Sequence, residues 1–355
     1  MTDLGPSQPT AATIRRRNLL RWGAAGAVVA LGAGYLGYQA FVAPKLSVQI
    51  GIAPGTQTLW RYVAQKKGTL FAPLGYDVTF VNFPDEASLR TAFLGGKLDI
   101  IATLVPTLAS LADAGESAQM FLPIAWLKEG YPLIAPASSP IKGLTDLAGH
   151  KLATYPLDHP GMAYWQALAL ATASVNLATL NPVQTLNPDL ALVQKSVDAA
   201  CMGGSQWASL SHDPTYHKLT DLQTIWRQLS GSDHLLLYGG YIARPSWLAA
   251  QTAFVQDFVA AHQQAFQAYQ QDRETFLNVT AANDSGPQMT SAENQAQATY
   301  LGYDDIGPER IAIGSQDVAD YRRIFGLMAA AKVIQSAPAN PDSLFASPPP
   351  AKTSP

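Results

Sequence analysis

The sequence predicts an α/β fold whose first half is built on a parallel sheet. Between residues 46 and 106, three apolar strand patterns alternate with two helical patterns. Strands and helices that alternate in this way are typical of parallel sheets joined by crossover helices. The length of 355 residues exceeds one ordinary domain. We therefore expect two lobes of common size.

The first predicted strand begins at Leu46 and breaks at Gly51, where a polar loop follows. This loop contains Thr56, Gln57 and Thr58. In a parallel sheet the loops after the carboxyl ends of the strands lie side by side, and ligands bind at that edge. The sequence therefore predicts that these three side chains donate hydrogen bonds to a ligand.

Two more residues of the first lobe are expected near the same edge. Thr103 ends the third strand pattern, at residues 97–103. Trp60 opens the helical pattern after the first loop and is predicted to form an apolar wall of the site, although a core position on the helix face is an equal alternative. Arg61 lies inside that helix and is expected to face solvent.

Composition excludes several classes of function. Hydrophobic residues make up 48% of the chain and charged residues 14%, with a net charge of -3, which argues against a nucleic-acid partner. Cys201 is the single cysteine, so neither an internal disulfide nor a cysteine metal cluster can form. The chain has no Gly-rich phosphate loop, paired-histidine metal spacing or nucleophile elbow. No catalytic group, metal or cofactor is predicted.

Residues 1–44 are predicted to direct export. The run Arg16-Arg17-Asn18-Leu19-Leu20-Arg21 resembles a twin-arginine signal, and residues 22–43 carry no charge. A cleaved leader and a retained membrane anchor both remain open, because the apolar run has about the 20 residues that span a bilayer and no suitable cleavage site follows it. The positive charges before the run place the remainder outside the cytoplasm.

Two segments carry a resemblance to a known family: Ala92-Phe93-Leu94-Gly95-Gly96-Lys97-Leu98-Asp99 and Ile141-Lys142-Gly143-Leu144-Thr145-Asp146-Leu147-Ala148-Gly149-His150-Lys151. With the strand order before them, they resemble the nitrate/sulfonate/taurine and thiamine-pyrimidine-precursor class of ABC-importer solute-binding proteins. The resemblance implies a two-lobed, type II periplasmic-binding-protein fold. Each lobe would have a mostly parallel sheet flanked by helices, and two crossover hinge strands would join the lobes.

The resemblance also implies domain boundaries. Residues 45–128 and 239–336 would form a discontinuous lobe I, and residues 129–238 would form lobe II. Residues 337–355 would be a flexible Pro-rich tail. The hinges are expected at residues 125–131 and 237–242.

In lobe II, the predicted ligand contacts follow two strand patterns. Tyr155 ends the first pattern, and His159 starts the next helix, whose amino end favours anions. A packing role for Tyr155 and a capping or surface role for His159 remain open. The second pattern ends at the stretch that supplies the remaining predicted contacts, which are Gly203, Gly204, Ser205 and Gln206.

The function implied is capture of a small polar or anionic solute, such as a sulfonate, nitrate or a taurine-like molecule. The lobes would close on the solute and deliver it to an ABC permease and its ATPase. The protein is expected to be monomeric, in the periplasm or on the outer face of the cytoplasmic membrane. The alternatives are a membrane-anchored extracellular sensor and an enzyme acting on a pyrimidine-like or anionic small molecule.

Overall fold

The computed structural model of the protein describes residues 46–53, 58–281, 295, 298–307 and 310–346. The predicted signal or anchor at residues 1–44 lies outside these residues, as do Thr56 and Gln57. Within the described ranges, no helix combines the length and the apolar character needed to cross a bilayer.

The described residues form two five-stranded sheets. The first has the order β2-β1-β3-β10-β4, and its strands are β1 (Leu46–Ile52), β2 (Tyr76–Asn82), β3 (Ile100–Leu104), β4 (Gln119–Leu127) and β10 (Leu236–Ala243). The second has the order β7-β6-β8-β5-β9, and its strands are β5 (Leu133–Pro136), β6 (Leu152–Thr154), β7 (Val183–Gln184), β8 (Ala199–Cys201) and β9 (Tyr216–Thr220). We call the elements around these sheets lobe I and lobe II.

Both sheets are mixed. In lobe I, β1 pairs parallel with β3, and β10 pairs antiparallel with β3 and β4. In lobe II, β6 pairs parallel with β7 and β8, and β5 pairs antiparallel with β8 and β9. The predicted α/β fold of two helix-flanked sheets is confirmed.

The chain passes between the sheets twice. It leaves lobe I after β4 and enters lobe II at β5, and it returns to lobe I before β10. Residues 237–242, which were expected to be a hinge, lie inside β10 between β3 and β4. The second crossover therefore precedes Leu236.

The helices follow the strands in the order expected of an α/β chain. Those before β10 are α1 (Thr58–Gln65), α2 (Lys67–Leu70), α3 (Glu86–Leu94), α4 (Pro106–Asp113), α5 (Pro160–Ala173), α6 (Pro188–Val193), α7 (Gly204–Leu210) and α8 (Leu222–Ser230). Those after β10 are α9 (Pro245–Ala250), α10 (Thr252–Gln271), α11 (Arg273–Ala281) and α12 (Ser315–Ala330). Aspartate caps start α3 and α8, because Asp85 accepts from Ser88 N at 2.7 Å and Asp221 accepts from Thr224 N at 2.8 Å.

Two expectations for the second half of the chain require correction. The helical spacing of the aromatic residues over 247–276 predicts a single helix, but the structure divides this stretch into α9, α10 and α11. Asp272 starts α11 by accepting from Thr275 N at 3.0 Å, and such a cap favours a new helix over continuation of the old one. The flexible tail was expected from residue 337, but Phe345 bridges to Met120 of β4 and is only 9% exposed. Burial of that ring fixes the segment.

Candidate binding cavity

A cavity of about 890 Å³ lies between the two sheets and is lined from both lobes. Lobe I contributes the start of α3, the start of α4 and residues 332–334. Lobe II contributes the loop before α5, the first turns of α5 and the start of α7. All of these segments except residues 332–334 follow strand ends, where the sheet topology predicts a binding site.

Glu86 supplies a buried carboxyl group to the lobe I wall. Its Oε1 accepts from Thr103 Oγ1 at 2.5 Å, and Thr103 in turn lies 3.1 Å from Thr107 Oγ1. Its Oε2 is buried and has no hydrogen-bond partner among the described residues. Burial raises the pKa of Glu86 to about 7, although the Thr103 bond and the charge of Arg90 act in the opposite direction.

Aromatic rings form much of the remaining wall. Tyr131, in the crossover between the lobes, lies at their centre. Its ring centroid is 5.8 Å from that of Tyr155, 6.0 Å from that of Tyr238 and 6.5 Å from that of Tyr300. Its backbone N donates to Tyr300 Oη at 2.5 Å. We call these residues, all of which line the cavity, the tyrosine cluster.

His159 joins the tyrosine cluster from lobe II. It caps α5, where its Nδ1 accepts from Gly161 N at 3.0 Å, and its ring stacks on Tyr155 with centroids 5.0 Å apart. Because Nδ1 accepts, the proton of the neutral ring lies on Nε2. Burial lowers the pKa of His159 to about 4, so the ring is neutral near pH 7. The predicted site residue is thus a helix cap that also lines the cavity.

The start of α7 forms the part of the lobe II wall that contacts Tyr155. Gly203 and Gly204 line the cavity, and Gly203 N donates to Gln206 Oε1 at 3.1 Å and to Tyr155 Oη at 3.2 Å. Gln206 also accepts from the hydroxyl of Tyr155. Gln206 therefore positions Tyr155 instead of lining the cavity itself. The side chain of Ser205 lies outside the described part of the chain.

The predicted lobe I contacts are placed differently from the expectation. Trp60 is 1% exposed and stacks on Phe80 at 6.1 Å, so it occupies the core position. Arg61, expected in solvent, is 4% exposed, and its guanidinium lies 5.4 Å from the Trp60 ring centroid. Thr103 is fully buried behind Glu86. Thr58 begins α1, but its side chain lies outside the described part.

Sequence reasoning missed several of the lining residues. Glu86 and Arg90 follow β2, whose terminal loop was expected at the ligand edge, so the strand-end rule was sufficient to find them. Tyr131, Tyr238 and Tyr300 carry no such local signal, because residues far apart in the sequence converge only in the folded chain.

A model of the NMT1/THI5-like family matches residues 56–275. The chain belongs to this family. This membership agrees with the resemblance to ABC-importer solute-binding proteins that the sequence motifs carry. Comparison with curated protein sequences gives no match.

Solved structures similar to this NMT1/THI5-like chain support the fold. The periplasmic aliphatic sulphonate-binding protein SsuA from Escherichia coli superposes with a TM-score of 0.65 at 17% identity, covering 87% of this chain and 94% of that one. The alkanesulfonate-binding protein SsuA from Xanthomonas axonopodis pv. citri, bound to MOPS, gives a TM-score of 0.62 at 17% identity, covering 85% of this chain and 98% of that one. The desulfurization enzyme DSZB gives a TM-score of 0.58 at 13% identity, covering 85% of this chain and 97% of that one.

The chemistry available at the cavity comes from aromatic rings and a few polar groups. Cys201 is buried in β8, and burial raises the pKa of its thiol, which disfavours the nucleophilic thiolate. Among the described residues, no three His, Cys, Asp or Glu side chains are grouped to hold a metal ion. The cavity instead offers aromatic faces, the carboxyl group of Glu86, the guanidinium of Arg90 and the Nε2–H of His159.

Proposed function

We propose that the protein is the extracytoplasmic solute-binding component of an ABC importer. It captures a small polar or anionic solute and delivers it to a membrane permease that works with an ATPase. The observation that carries this proposal is the cavity of about 890 Å³ between the two sheets, lined from both lobes, in a chain of the NMT1/THI5-like family. A cavity of this size suits a small organic molecule.

Capture proceeds by closure of the lobes about the two crossovers. Lobe I then comprises residues 45–128 and the chain from β10 to residue 336, and lobe II comprises the residues between them, from 129 to the crossover before Leu236. Contacts across the cavity support such a closed state. The Tyr300 ring lies against Gly204 of lobe II, and Tyr164 of α5 shares a hydrogen bond with Tyr321 of α12. A bound solute adds contacts to both walls and shifts the population toward this state.

A thermal-unfolding screen of the purified full-length protein tests solute capture. The solutes are taurine, alkanesulfonates, nitrate, bicarbonate, aromatic carboxylates and a hydroxymethylpyrimidine. A ligand at a hundredfold excess over Kd stabilises by about 2.7 kcal/mol. We expect one class to raise Tm by several degrees. If no solute of any class shifts Tm and none copurifies, the capture role fails.

A matched variant ties that shift to the cavity. His159→Asn keeps a side chain that caps α5 well but removes the stacked ring and its Nε2–H. We expect the variant to retain most of its ligand-free Tm and to lose most of the solute-induced shift. An undiminished shift would place the solute elsewhere.

We infer that residues 1–44 export the protein to the periplasm or to the outer face of the cytoplasmic membrane. The twin-arginine run and the uncharged stretch after it support this location. Cell fractionation of the Arg16→Lys, Arg17→Lys double variant tests it. If the twin-arginine run directs export, the double variant should remain in the cytoplasm. Unchanged fractionation of the variant would show that the run is not the export signal. The size of the exported chain distinguishes a cleaved leader from an anchor.

The similarity to DSZB keeps an enzyme as a second candidate. This candidate requires the solute found in the screen to be converted by the purified protein. Mass spectrometry of the solute after prolonged incubation decides between the two functions, because a solute recovered unchanged supports binding alone.

A further inference from the structure

We propose that Glu86 selects the solute by binding a protonated amine or amidine group carried on an apolar body. This inference rests on solute capture in the interlobe cavity and names the chemistry captured there. It differs from recognition of a bare sulfonate or nitrate, neither of which carries such a donor.

The first support is the hydrogen bonding of the carboxyl group. Thr103 occupies Oε1, and the contact between Thr103 and Thr107 holds that hydroxyl in place. Oε2 is buried without a partner among the described residues. Buried polar atoms in native proteins are nearly always paired, so the unpaired Oε2 of a side chain that lines the cavity points to a partner supplied by the ligand.

The second support is the charge around Glu86. Arg90 lies one helical turn further along α3, yet no described residue forms an ion pair with Glu86 within 4 Å. A cationic donor placed at Oε2 would satisfy both the hydrogen bond and the charge. An anion there would instead face a like charge whenever Glu86 is ionised.

The third support is the aromatic surface beside the carboxyl group. Burial and the nearby charges of Tyr155 and Glu86 raise the pKa of Tyr131, which places Glu86 within electrostatic reach of the tyrosine cluster. Aromatic faces attract organic cations and pack against flat apolar groups. The cavity beside Glu86 therefore suits both the cationic donor group and the apolar part of the solute that carries it.

Isothermal titration calorimetry with benzamidine and benzoate tests the inference. The two probes have the same ring and a similar planar head, but benzamidine presents two N–H donors where benzoate presents two acceptors. We expect benzamidine to bind the full-length protein more tightly than benzoate. Benzylamine serves as a second donor probe. If neither donor probe binds at millimolar concentration, the inference is overturned, whatever other solutes do.

Two variants locate the contact. Glu86→Gln keeps the shape of the side chain but removes the charge, and we expect benzamidine affinity to fall by about 10- to 100-fold. Glu274→Gln removes an equal charge from an exposed position that does not line the cavity, and we expect a change below about threefold. Equal losses in both variants would indicate a general field effect and overturn the assignment.

The pH dependence separates this inference from its opposite, in which protonated Glu86 donates to an anion. The other charged or titratable groups lining the cavity are Asp85, Arg90, Asp158, His159, Lys332 and the tyrosine cluster. With Glu86 titrating at about 7, benzamidine should bind more tightly as the pH rises through that value, and Glu86→Gln should remove the trend. Binding that weakens as the pH rises would overturn the inference. If benzoate or a sulfonate binds while benzamidine does not, solute capture stands and this inference alone fails.

Discussion

A close contact across the cavity is made by a residue without a side chain, Gly204. A Cβ at Gly204 would lie 2.2 Å from the ring of Tyr300, so glycine is what allows this lobe I ring to lie on the start of α7. Tyr300 is held in turn by the backbone N of Tyr131, which donates to its hydroxyl. The position of Tyr300 therefore depends on both lobes.

Gly204→Ala should disturb this closed arrangement. Inserting a methyl group into a packed site destabilises by about 1–3 kcal/mol when rings must shift. We expect a lower Tm and weaker solute binding, measured by thermal unfolding and calorimetry. Gly143→Ala is the control, because a Cβ there meets nothing within 4 Å and the backbone is extended. Wild-type Tm and affinity in Gly204→Ala would show that Tyr300 does not depend on this contact.

A buried histidine in the lobe I core should make the fold sensitive to acid. His262 bonds to Phe258 O at 2.8 Å and to Tyr241 Oη at 2.9 Å, and burial lowers its pKa to about 4. The unfolded chain therefore binds a proton that the folded chain does not, between pH of about 6.5 and about 4, and stability falls as the pH falls through that window. The contribution is on the order of 3 kcal/mol.

His262→Gln should reduce this acid sensitivity, because glutamine offers an acceptor to Tyr241 without titrating. The measurement is Tm against pH for the variant and the wild type. His159 and Glu86 contribute equally to the pH dependence of Tm in the variant and in the wild type, so their contributions cancel when the two profiles are subtracted. His212→Gln, at an exposed position, is the control and should follow the wild-type profile. A His262→Gln profile parallel to wild type would contradict the prediction.

At the scale of elements, α5 and α12 connect the lobes behind the cavity. The hydroxyl of Tyr321 on α12 donates to the carbonyl of Leu237 in β10 and shares a hydrogen bond with Tyr164 on α5. All three groups are buried. If one hydrogen-bonding partner is removed, water can take its place only if the surrounding residues move. This pair therefore links a helix of lobe II to the sheet of lobe I.

Tyr321→Phe should loosen that link. Removing the hydroxyl leaves buried partners unsatisfied, which costs about 1–3 kcal/mol, and we expect a lower Tm and weaker solute binding. Tyr62→Phe is the matched control, since its ring stacks on Phe276 at 4.8 Å while its hydroxyl has no hydrogen bond among the described residues. Equal Tm losses in the two variants would argue against a specific role for Tyr321.

At the scale of the two lobes, solute binding should bring lobe I and lobe II together. Spin labels at Leu94→Cys and Leu190→Cys report this movement, because both positions are exposed and lie on different lobes. Cys201 is buried and should label little. We expect the distance distribution to shorten and narrow when solute is added. A pair at Leu74→Cys and Leu94→Cys, both on lobe I and both exposed, should not change. An unchanged distance between the lobes would exclude closure as the capture mechanism.

The sequence alone determined the class of fold and several element positions. The continuous apolar run at residues 235–243 predicts a strand and corresponds to β10 (Leu236–Ala243), and the start of β1 at Leu46 agrees with the prediction. Alternation and apolar runs are local properties of the sequence, so they can be recognised without knowledge of the fold. The same local rules indicated Tyr155, His159, Gly203 and Gly204, all of which line the cavity.

Only the tertiary structure decided which face of each element meets the ligand. Periodicity cannot distinguish the two sides of a helix that is buried on both. It leaves Trp60 open between the wall of the site and the core and predicts that Arg61 faces solvent, whereas both side chains are buried. Glu86 is a candidate binding residue because its Oε2 is buried without a partner among the described residues, and burial cannot be read from a local sequence pattern. Tyr131, Tyr238 and Tyr300 meet because the chain crosses twice between the sheets, and contacts between such distant positions exist only once the chain has folded.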